Sequence, residues 1–197
     1  MKTVIIKYNA GNIQSVLFAL QRIGVEGIVS DNKDEILSAD KVIFPGVGQA
    51  LSAMQYLEEK GLDKVICALK QPTLGICLGM QLMCAHSEEG DTKGLNLFPA
   101  SVKLFRGAEK VPHVGWNIVN GEKIQGSRIK GIVPEEPEYF YFVHSYYAEP
   151  CGYTVATTEY MLPFSAAIQK DNFYAVQFHP EKSGLAGQRV LKNFIEL

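Results

Sequence analysis

The chain has 197 residues, of which 47% are hydrophobic and 20% are charged. This length suits one domain, residues 1–197, with a single core, and the composition excludes fibrous and disordered proteins. Nineteen Lys and Arg residues against 21 Asp and Glu residues give a net charge of −2, without the basic cluster that nonspecific nucleic-acid binding requires. We therefore expect a globular protein that does not bind nucleic acid.

The apolar segments and the cysteines indicate the cellular compartment of the protein and whether it contains disulfides or a metal. Residues 1–7 are too short for a signal peptide, and no segment reaches the apolar length of a membrane-spanning helix. The four cysteines form no C-x-x-C pair and adjoin no histidine cluster, which argues against a disulfide framework and a metal site. We expect a cytoplasmic protein without a membrane segment, a metal or another cofactor.

The first part of the chain alternates between short apolar runs and segments with helical periodicity. In chain order, the patterns predict strand 3–6, helix 13–23, strand 27–29, helix 34–39, strand 42–44, helices 50–59 and 62–70, strand 74–77 and helix 80–86. Strands that are apolar throughout are buried on both faces, which is typical of a parallel sheet between two layers of helices. Ligands bind beyond the carboxyl ends of such strands.

The second part of the chain has shorter, turn-rich connections. It predicts strands 102–105, 116–119, 139–144, 153–158, 166–169 and 173–178, followed by helix 187–195. Short connections favour antiparallel pairs added to the first sheet. The predicted fold class is therefore α/β, with three layers, a mostly parallel central sheet, helices on both faces and added antiparallel strands in the C-terminal half.

The most informative segment is residues 75–79, Gly-Ile-Cys-Leu-Gly, between a predicted strand and a predicted helix. At a sharp strand-to-helix turn the central residue has a strained backbone, so its neighbours must be small. A helix N-terminus also favours the anionic thiolate form of a cysteine. A buried structural cysteine is the alternative. The context favours Cys77 as a nucleophile.

A thiolate nucleophile needs a proton shuttle, and the sequence His-Pro-Glu at 179–181 follows the last predicted strand. Residues i and i+2 of an extended segment point the same way, so Glu181 could hold one ring nitrogen of His179 while the other faces Cys77. A surface turn is the alternative reading of this tripeptide. It is weakened because Cys77 supplies a place for the shuttle to act.

The other histidines are weaker candidates for the shuttle. His144 is the rival base, but it lacks an adjacent carboxylate, and its aromatic neighbours favour a packed, hydrogen-bonded histidine. His113 precedes a Val-Gly-Trp-Asn segment and His86 ends a predicted helix. Neither of these two needs a chemical role.

Residues 45–48, Pro-Gly-Val-Gly, follow the predicted strand 42–44. Glycines allow unusual backbone angles and close approach, so the N–H groups of this loop are candidates for an oxyanion site. A dinucleotide-binding loop is not favoured because the next required glycine position holds Leu51. A plain tight turn remains an equal alternative.

Taken together, these segments resemble the class I (triad) glutamine amidotransferases. The Pro-Gly-Val-Gly segment at 45–48 and the His-Val-Gly-Trp-Asn segment at 113–117 narrow the resemblance to the glutaminase subunits of imidazole glycerol phosphate synthase, which serve histidine biosynthesis. Further matches with their pattern lie at residues 11–12, 87–90, 111–117 and 141–146. The matches run in order from residue 8 to residue 182. The resemblance implies a flavodoxin-like version of the predicted fold.

The resemblance also implies roles for individual residues. Cys77 would attack the side-chain amide of glutamine, His179 would transfer protons, and Glu181 would orient His179. The backbone N–H groups of Leu78 and Val47 would bind the oxyanion, the latter after a peptide flip. The other implied contacts with the substrate are Gly46, Gly48, Gln81, Glu89, Ser145 and Tyr146.

In the family, a separate (β/α)8 cyclase docks over the glutaminase site as a heterodimer partner. It receives ammonia through its barrel and makes imidazole glycerol phosphate and an aminoimidazole carboxamide ribotide. The positions implied at this interface are Trp116, Asn117, Tyr141 and Lys182. A core position for Trp116 is an equal alternative.

Two residues depart from the family pattern, and two other functions are alternatives to the one that the resemblance implies. Asn9 and Ala10 depart from the family pattern, which leaves the interface at this loop open. One rival is the glutaminase subunit of another synthase, such as that of pyridoxal phosphate synthesis. The other is a redox or stress protein in which the elbow cysteine is oxidised, but such a protein has no use for Glu181.

Overall fold

A computed structural model of the chain describes residues 1–9, 11–121, 132–133 and 136–197. Ala10, one of the two departures from the family pattern, lies outside these residues. The strands of the described part are β1 (Thr3–Ile6), β2 (Gly27–Ser30), β3 (Lys41–Phe44), β4 (Thr73–Ile76), β5 (Cys84–Ser87), β6 (Thr92–Lys93), β7 (Phe98–Leu104), β8 (His113–Gly121), β9 (Glu138–His144), β10 (Tyr146–Ala148), β11 (Thr154–Tyr160), β12 (Leu162–Lys170) and β13 (Phe173–Val176).

Six α-helices connect these strands within the described ranges. They are α1 (Ile13–Arg22), α2 (Lys33–Leu37), α3 (Ala50–Lys60), α4 (Leu62–Ala68), α5 (Leu78–Met83) and α6 (Gly184–Ile195). Two short 3-10 turns, Glu89–Asp91 and Pro180–Lys182, complete the elements. No helix of the described part is both long and apolar enough to cross a membrane.

The larger sheet has nine strands in the order β2-β1-β3-β4-β13-β12-β11-β8-β9. Its first five strands are parallel. The other four extend the sheet by antiparallel pairing. The parallel part has the strand order of flavodoxin-like proteins, which confirms the predicted fold class.

The central strands are buried on both faces, as their continuous apolar runs predict. In β1, Val4 and Ile6 belong to the core cluster that includes side chains of α2, α3 and α4. Ile5, between them, belongs to the second cluster, with side chains of α1 and α6. The alternation of side chains along a strand therefore divides the core into two layers.

A second sheet, with the order β10-β7-β5-β6, differs from the prediction. The predicted helix 80–86 is the short α5, which ends at Met83, and Cys84 is extended at the start of β5. The strand predicted at 102–105 is part of β7 and pairs with β5 and β10, so it does not join the first sheet. A short apolar segment carries too few periods to distinguish helix from strand, and its tertiary pairing decided the outcome.

The glycine in the middle of α6 gives a prediction about stability. A Cβ atom at Gly187 would lie 1.8 Å from the carbonyl oxygen of Pro180. Alanine is the better helix former by about 1 kcal/mol, but overpacking against backbone atoms outweighs this gain. We expect Gly187→Ala to lower the free energy of unfolding by about 1–3 kcal/mol in urea denaturation.

The matched control for this substitution is Gly152→Ala, because a Cβ atom at Gly152 would meet nothing within 4 Å. We expect the control to unfold as the unchanged chain does. Equal midpoints for the two variants would show that the contact between α6 and the turn at Pro180 is not tight.

Candidate active site

Cys77 connects β4 to α5 through a strained turn. Its backbone angles are φ 53° and ψ −106°, and its N–H donates to the carbonyl oxygen of Val176, 2.8 Å away. A Cβ atom at Gly79 would lie 1.9 Å from the carbonyl oxygen of Phe44, and one at Gly75 would lie 2.8 Å from the sulfur of Met83. The turn therefore needs the small neighbours on which the sequence argument relied.

His179 and Glu181 follow β13, and their side chains are completely buried. The Oε1 atom of Glu181 lies 2.7 Å from the Nδ1 atom of His179. The prediction placed Glu181 on an extended segment. In the structure it lies in a 3-10 turn that begins at Pro180. The turn brings the carboxylate to the ring just as an extended segment would have done.

The electrostatic environment favours the imidazolium form of His179. Burial by itself would lower the pKa of His179, but the negative charges of Cys77 and Glu181 outweigh it and raise the pKa to about 10. Its Nε2 atom has no hydrogen-bond partner among the described residues. This nitrogen is therefore available to the thiol and to a bound substrate.

Asn12 and Arg22 hold Glu181 from the side of α1. The side-chain amide of Asn12 donates to Oε1 of Glu181, and a guanidinium nitrogen of Arg22 donates to the backbone carbonyl of Glu181 at 3.2 Å. Asn12 has a φ of 77° and is the N-cap residue that precedes α1. Sequence reasoning assigned it no contact with the triad. The available signal was its residue type, because asparagine tolerates positive φ.

The loop at 45–48 lies against the elbow in a defined state. The backbone N–H of Leu78 donates to the carbonyl oxygen of Gly46 at 3.2 Å. The hydroxyl of Tyr8 donates to the carbonyl oxygen of Pro45 at 2.6 Å, and a Cβ atom at Gly46 would lie 2.0 Å from that hydroxyl. The backbone N–H of Leu78, which was predicted to bind the oxyanion, therefore already donates to the carbonyl of Gly46. The predicted oxyanion site is not formed in this state.

A cavity of about 330 Å³ opens over the sulfur of Cys77. It brings together eight of the predicted site residues, which are Val47, Gly48, Cys77, Leu78, Gln81, Glu89, Ser145 and Tyr146. Pro112, Val143 and His144 also line it, and sequence reasoning assigned none of these three to the substrate. The cavity is of a size that suits a small polar ligand.

His144 forms part of the wall of this cavity, and both of its ring nitrogens are hydrogen-bonded. Its Nδ1 atom lies 2.7 Å from the carbonyl oxygen of Tyr146 and its Nε2 atom 3.0 Å from Nδ1 of His113. Burial lowers the pKa of His144 to about 3 and that of His113 to about 4. The packed, hydrogen-bonded interpretation of His144 is therefore confirmed, and His113 is its partner.

The predicted interface residues lie on or beside the outer strands β8 and β9. Trp116 is 56% exposed, so the core alternative for it is wrong, and its ring lies edge-on to Tyr141 at 6.1 Å. The ammonium of Lys182 lies 5.9 Å from the ring of Tyr141. Asn117 is half-buried and donates to the carbonyl oxygen of Glu159 at 3.0 Å.

Within the described ranges, no group of three or more His, Cys, Asp or Glu side chains could hold a metal ion.

Comparisons with known proteins agree with this geometry. The family model "Glutamine amidotransferase class-I" matches residues 4–197. The chain is 54% identical over 200 residues to the imidazole glycerol phosphate synthase subunit HisH of Bacteroides thetaiotaomicron, covering the full length of both chains. It is 43% identical over 198 residues to the subunit of the same name from Idiomarina loihiensis, covering all of this chain and 98% of the relative.

A solved structure shares the fold. The glutaminase domain of CTPS from Trypanosoma brucei superimposes with a TM-score of 0.67 at 17% sequence identity, covering all of this chain and 94% of that domain. Identity this low shows the fold alone, whereas the full-length matches above show the family. The chain belongs to the class I glutamine amidotransferase family and, within it, to the HisH subunits of imidazole glycerol phosphate synthase.

Proposed function

We propose that this chain hydrolyses glutamine at Cys77 and delivers the ammonia to a cyclase subunit in histidine biosynthesis, in the cytoplasm. The observation that carries the proposal is the strained thiol on the cavity wall, with the buried pair of His179 and Glu181 behind it. The names of the full-length relatives support the synthase as the destination of the ammonia.

In the first half-reaction the sulfur of Cys77 attacks the side-chain carbonyl carbon of glutamine. The C–S bond forms and the carbonyl electron pair moves to oxygen, which gives a tetrahedral oxyanion. His179, protonated because of its raised pKa, donates its Nε2 proton to the amide nitrogen. The C–N bond then breaks, and ammonia leaves behind a glutamyl thioester.

In the second half-reaction water attacks the thioester. His179, now neutral, accepts the proton of that water, and the C–S bond breaks with its electron pair returning to sulfur. Glutamate leaves, and the thiolate and the imidazolium are restored. Glu181 keeps Nδ1 of His179 protonated, so Nε2 is the nitrogen that exchanges the proton in both steps.

The walls of the cavity supply groups for the polar ends of glutamine. The Glu89 carboxylate suits the substrate ammonium, although in this state it accepts a hydrogen bond from the N–H of Ala50 at 2.7 Å. Gln81 and Gly48 also line the cavity. The backbone at Ser145 and Tyr146 completes the wall. We assign these residues to the amino-acid end of the substrate.

The exposed aromatic face of β8 and β9 suits a protein partner. Trp116 and Tyr139 are each 56% exposed, and Lys182 adds a positive charge beside Tyr141. Exposed aromatic side chains are enriched at the centre of protein interfaces. We propose that the (β/α)8 barrel of the cyclase docks on this face and receives the ammonia. The products of that cyclase would be imidazole glycerol phosphate and an aminoimidazole carboxamide ribotide.

The rival functions receive less support. Both full-length relatives described above are HisH subunits, which favours histidine biosynthesis over pyridoxal phosphate synthesis. A redox protein needs a reactive thiol but has no use for a buried carboxylate that orients His179. The contact between Glu181 and His179 therefore favours proton transfer over thiol oxidation.

The first prediction identifies the nucleophile. A diazo-ketone analogue of glutamine is expected to add once to the unchanged chain, because it binds in the cavity and alkylates Cys77. Intact-mass spectrometry measures the adduct. Cys77→Ala is expected to show none, and the control Cys67→Ala, which changes an exposed thiol, is expected to keep it. An unlabelled chain would contradict the proposed glutaminase activity.

The second prediction concerns the loop at 45–48. Because the carbonyl of Gly46 occupies the N–H of Leu78, we expect weak release of ammonia from the chain alone. Ammonia release should rise by about 10²-fold or more when the cyclase and its nucleotide ligand are added. Loss of one oxyanion-hole donor typically lowers kcat by about this factor. A coupled ammonia assay measures it. Equal turnover without any partner would reject this part of the proposal.

The third prediction concerns the proton on His179. We expect its imidazolium to lose the proton only as the pH rises through about 10, followed by NMR of ¹⁵N-labelled histidine. Since the folded-state pKa is raised above 6.5, the associated stabilisation is complete below that value and is lost as the pH rises through about 10.

Cys77→Ala is expected to move this NMR midpoint to lower pH. The substitution removes the negative charge of Cys77, which raises the pKa of His179, and leaves the burial, which lowers it. The control Cys151→Ala is expected to leave it in place. The same midpoint in all three proteins would mean that the thiol does not interact with His179.

A further inference from the structure

The sulfur of Cys77 has a second buried neighbour besides His179. The side-chain nitrogen of Gln177 lies 3.6 Å from it, within the range of an N–H···S hydrogen bond. Gln177 is completely buried and lies between the end of β13 and His179. Neither the triad nor the substrate contacts described above use it.

The orientation of the Gln177 amide is fixed by its neighbours. Its Oε1 atom accepts a hydrogen bond from the side-chain nitrogen of Gln81 at 3.0 Å, and the same nitrogen donates to the carbonyl oxygen of Tyr146 at 2.8 Å. A backbone carbonyl only accepts, so it requires the nitrogen of Gln81 on its side. The same nitrogen of Gln81 also donates to Gln177, so the atom of Gln177 on that side is the acceptor oxygen. The amide nitrogen of Gln177 therefore faces the sulfur.

His144 also donates to the carbonyl of Tyr146, and His113 donates in turn to His144. Since that carbonyl only accepts, Nδ1 of His144 carries the proton and Nε2 of His144 accepts one from Nδ1 of His113. Nε2 of His113 is then free to accept from the side-chain amide of Asn117 at 3.3 Å. Each N–H group from Asn117 through His113 and His144 therefore donates towards the carbonyl of Tyr146.

A hydrogen bond to a charged group is stronger than one to a neutral group. The N–H of Gln177 therefore favours the thiolate of Cys77 over the thiol, and it favours the return of the electron pair to sulfur when the thioester breaks. The carbonyl of Val143 also lies 4.0 Å from this sulfur, and it accepts only from the protonated thiol.

We propose that Gln177 is a further catalytic residue, whose side-chain amide donates to the sulfur of Cys77, and that Gln81 is the positioning residue that fixes the direction of this donor. This inference rests on the proposed role of Cys77 as the nucleophile.

The test measures the rate of Cys77 alkylation by iodoacetamide as a function of pH, read by peptide mass spectrometry. This reagent needs neither glutamine nor a cyclase, so the result is separate from the success or failure of the proposed glutaminase activity. Gln177→Met keeps the length of the side chain and removes the donor. We expect the midpoint of its pH profile to rise by about one to two pH units relative to the unchanged chain.

Gln177→Glu separates a direct role from a merely structural one. A carboxylate still accepts from Gln81 but presents a negative charge to the sulfur. If the side chain at position 177 did not face the sulfur, the glutamate variant would have the profile of the unchanged chain. We expect instead a midpoint at least as high as that of Gln177→Met. The control Gln169→Met, on the neighbouring strand β12, is expected to leave the midpoint unchanged.

The unchanged chain provides a measurement that does not depend on the folding of any variant. The side-chain amide signal of Gln177 in a ¹H–¹⁵N NMR spectrum is expected to shift with pH at the midpoint of the alkylation profile. A signal that does not change through that midpoint, or a Gln177→Glu profile that matches the unchanged chain, would overturn the proposal.

Discussion

The strained turn at Cys77 is the constraint on which the rest of the site depends. A positive φ at a residue with a side chain persists only where the surrounding structure holds it. Here the backbone of β13 accepts the N–H of Cys77, and the close approach of Gly79 to Phe44 excludes any side chain at that position. The parallel sheet is therefore the support that presents the sulfur to the cavity.

Burial acts on the histidines of the site in opposite ways because their neighbours differ. His179 is completely buried beside Glu181 and Cys77, and its pKa rises to about 10. Burial is the main influence on His113 and His144, whose pKa values fall to about 4 and about 3. One histidine is thereby prepared to exchange a proton, and the other two act as fixed hydrogen-bonding groups.

The cavity and the proposed partner face share the strand β9, which contributes Val143 and His144 to the lining. Trp116 is exposed on the neighbouring strand β8. A partner that docks on this face would contact a strand that also forms part of the cavity wall. The loop at 45–48 lies on the other side of the cavity, where the carbonyl of Gly46 occupies the N–H of Leu78.

Short-range patterns in the sequence were enough to predict the alternation of strands and helices, the elbow at Cys77 and the tripeptide of His179 and Glu181, because each depends on neighbouring residues. Only the tertiary structure decided the second sheet, since β5 became a strand by pairing with distant residues of β7. It also decided that Asn12 reaches Glu181 and that Gln177 reaches Cys77, across 169 and 100 positions of the chain. Hydrogen bonds over such separations leave no periodic signal, because their partners meet only after the sheet has formed.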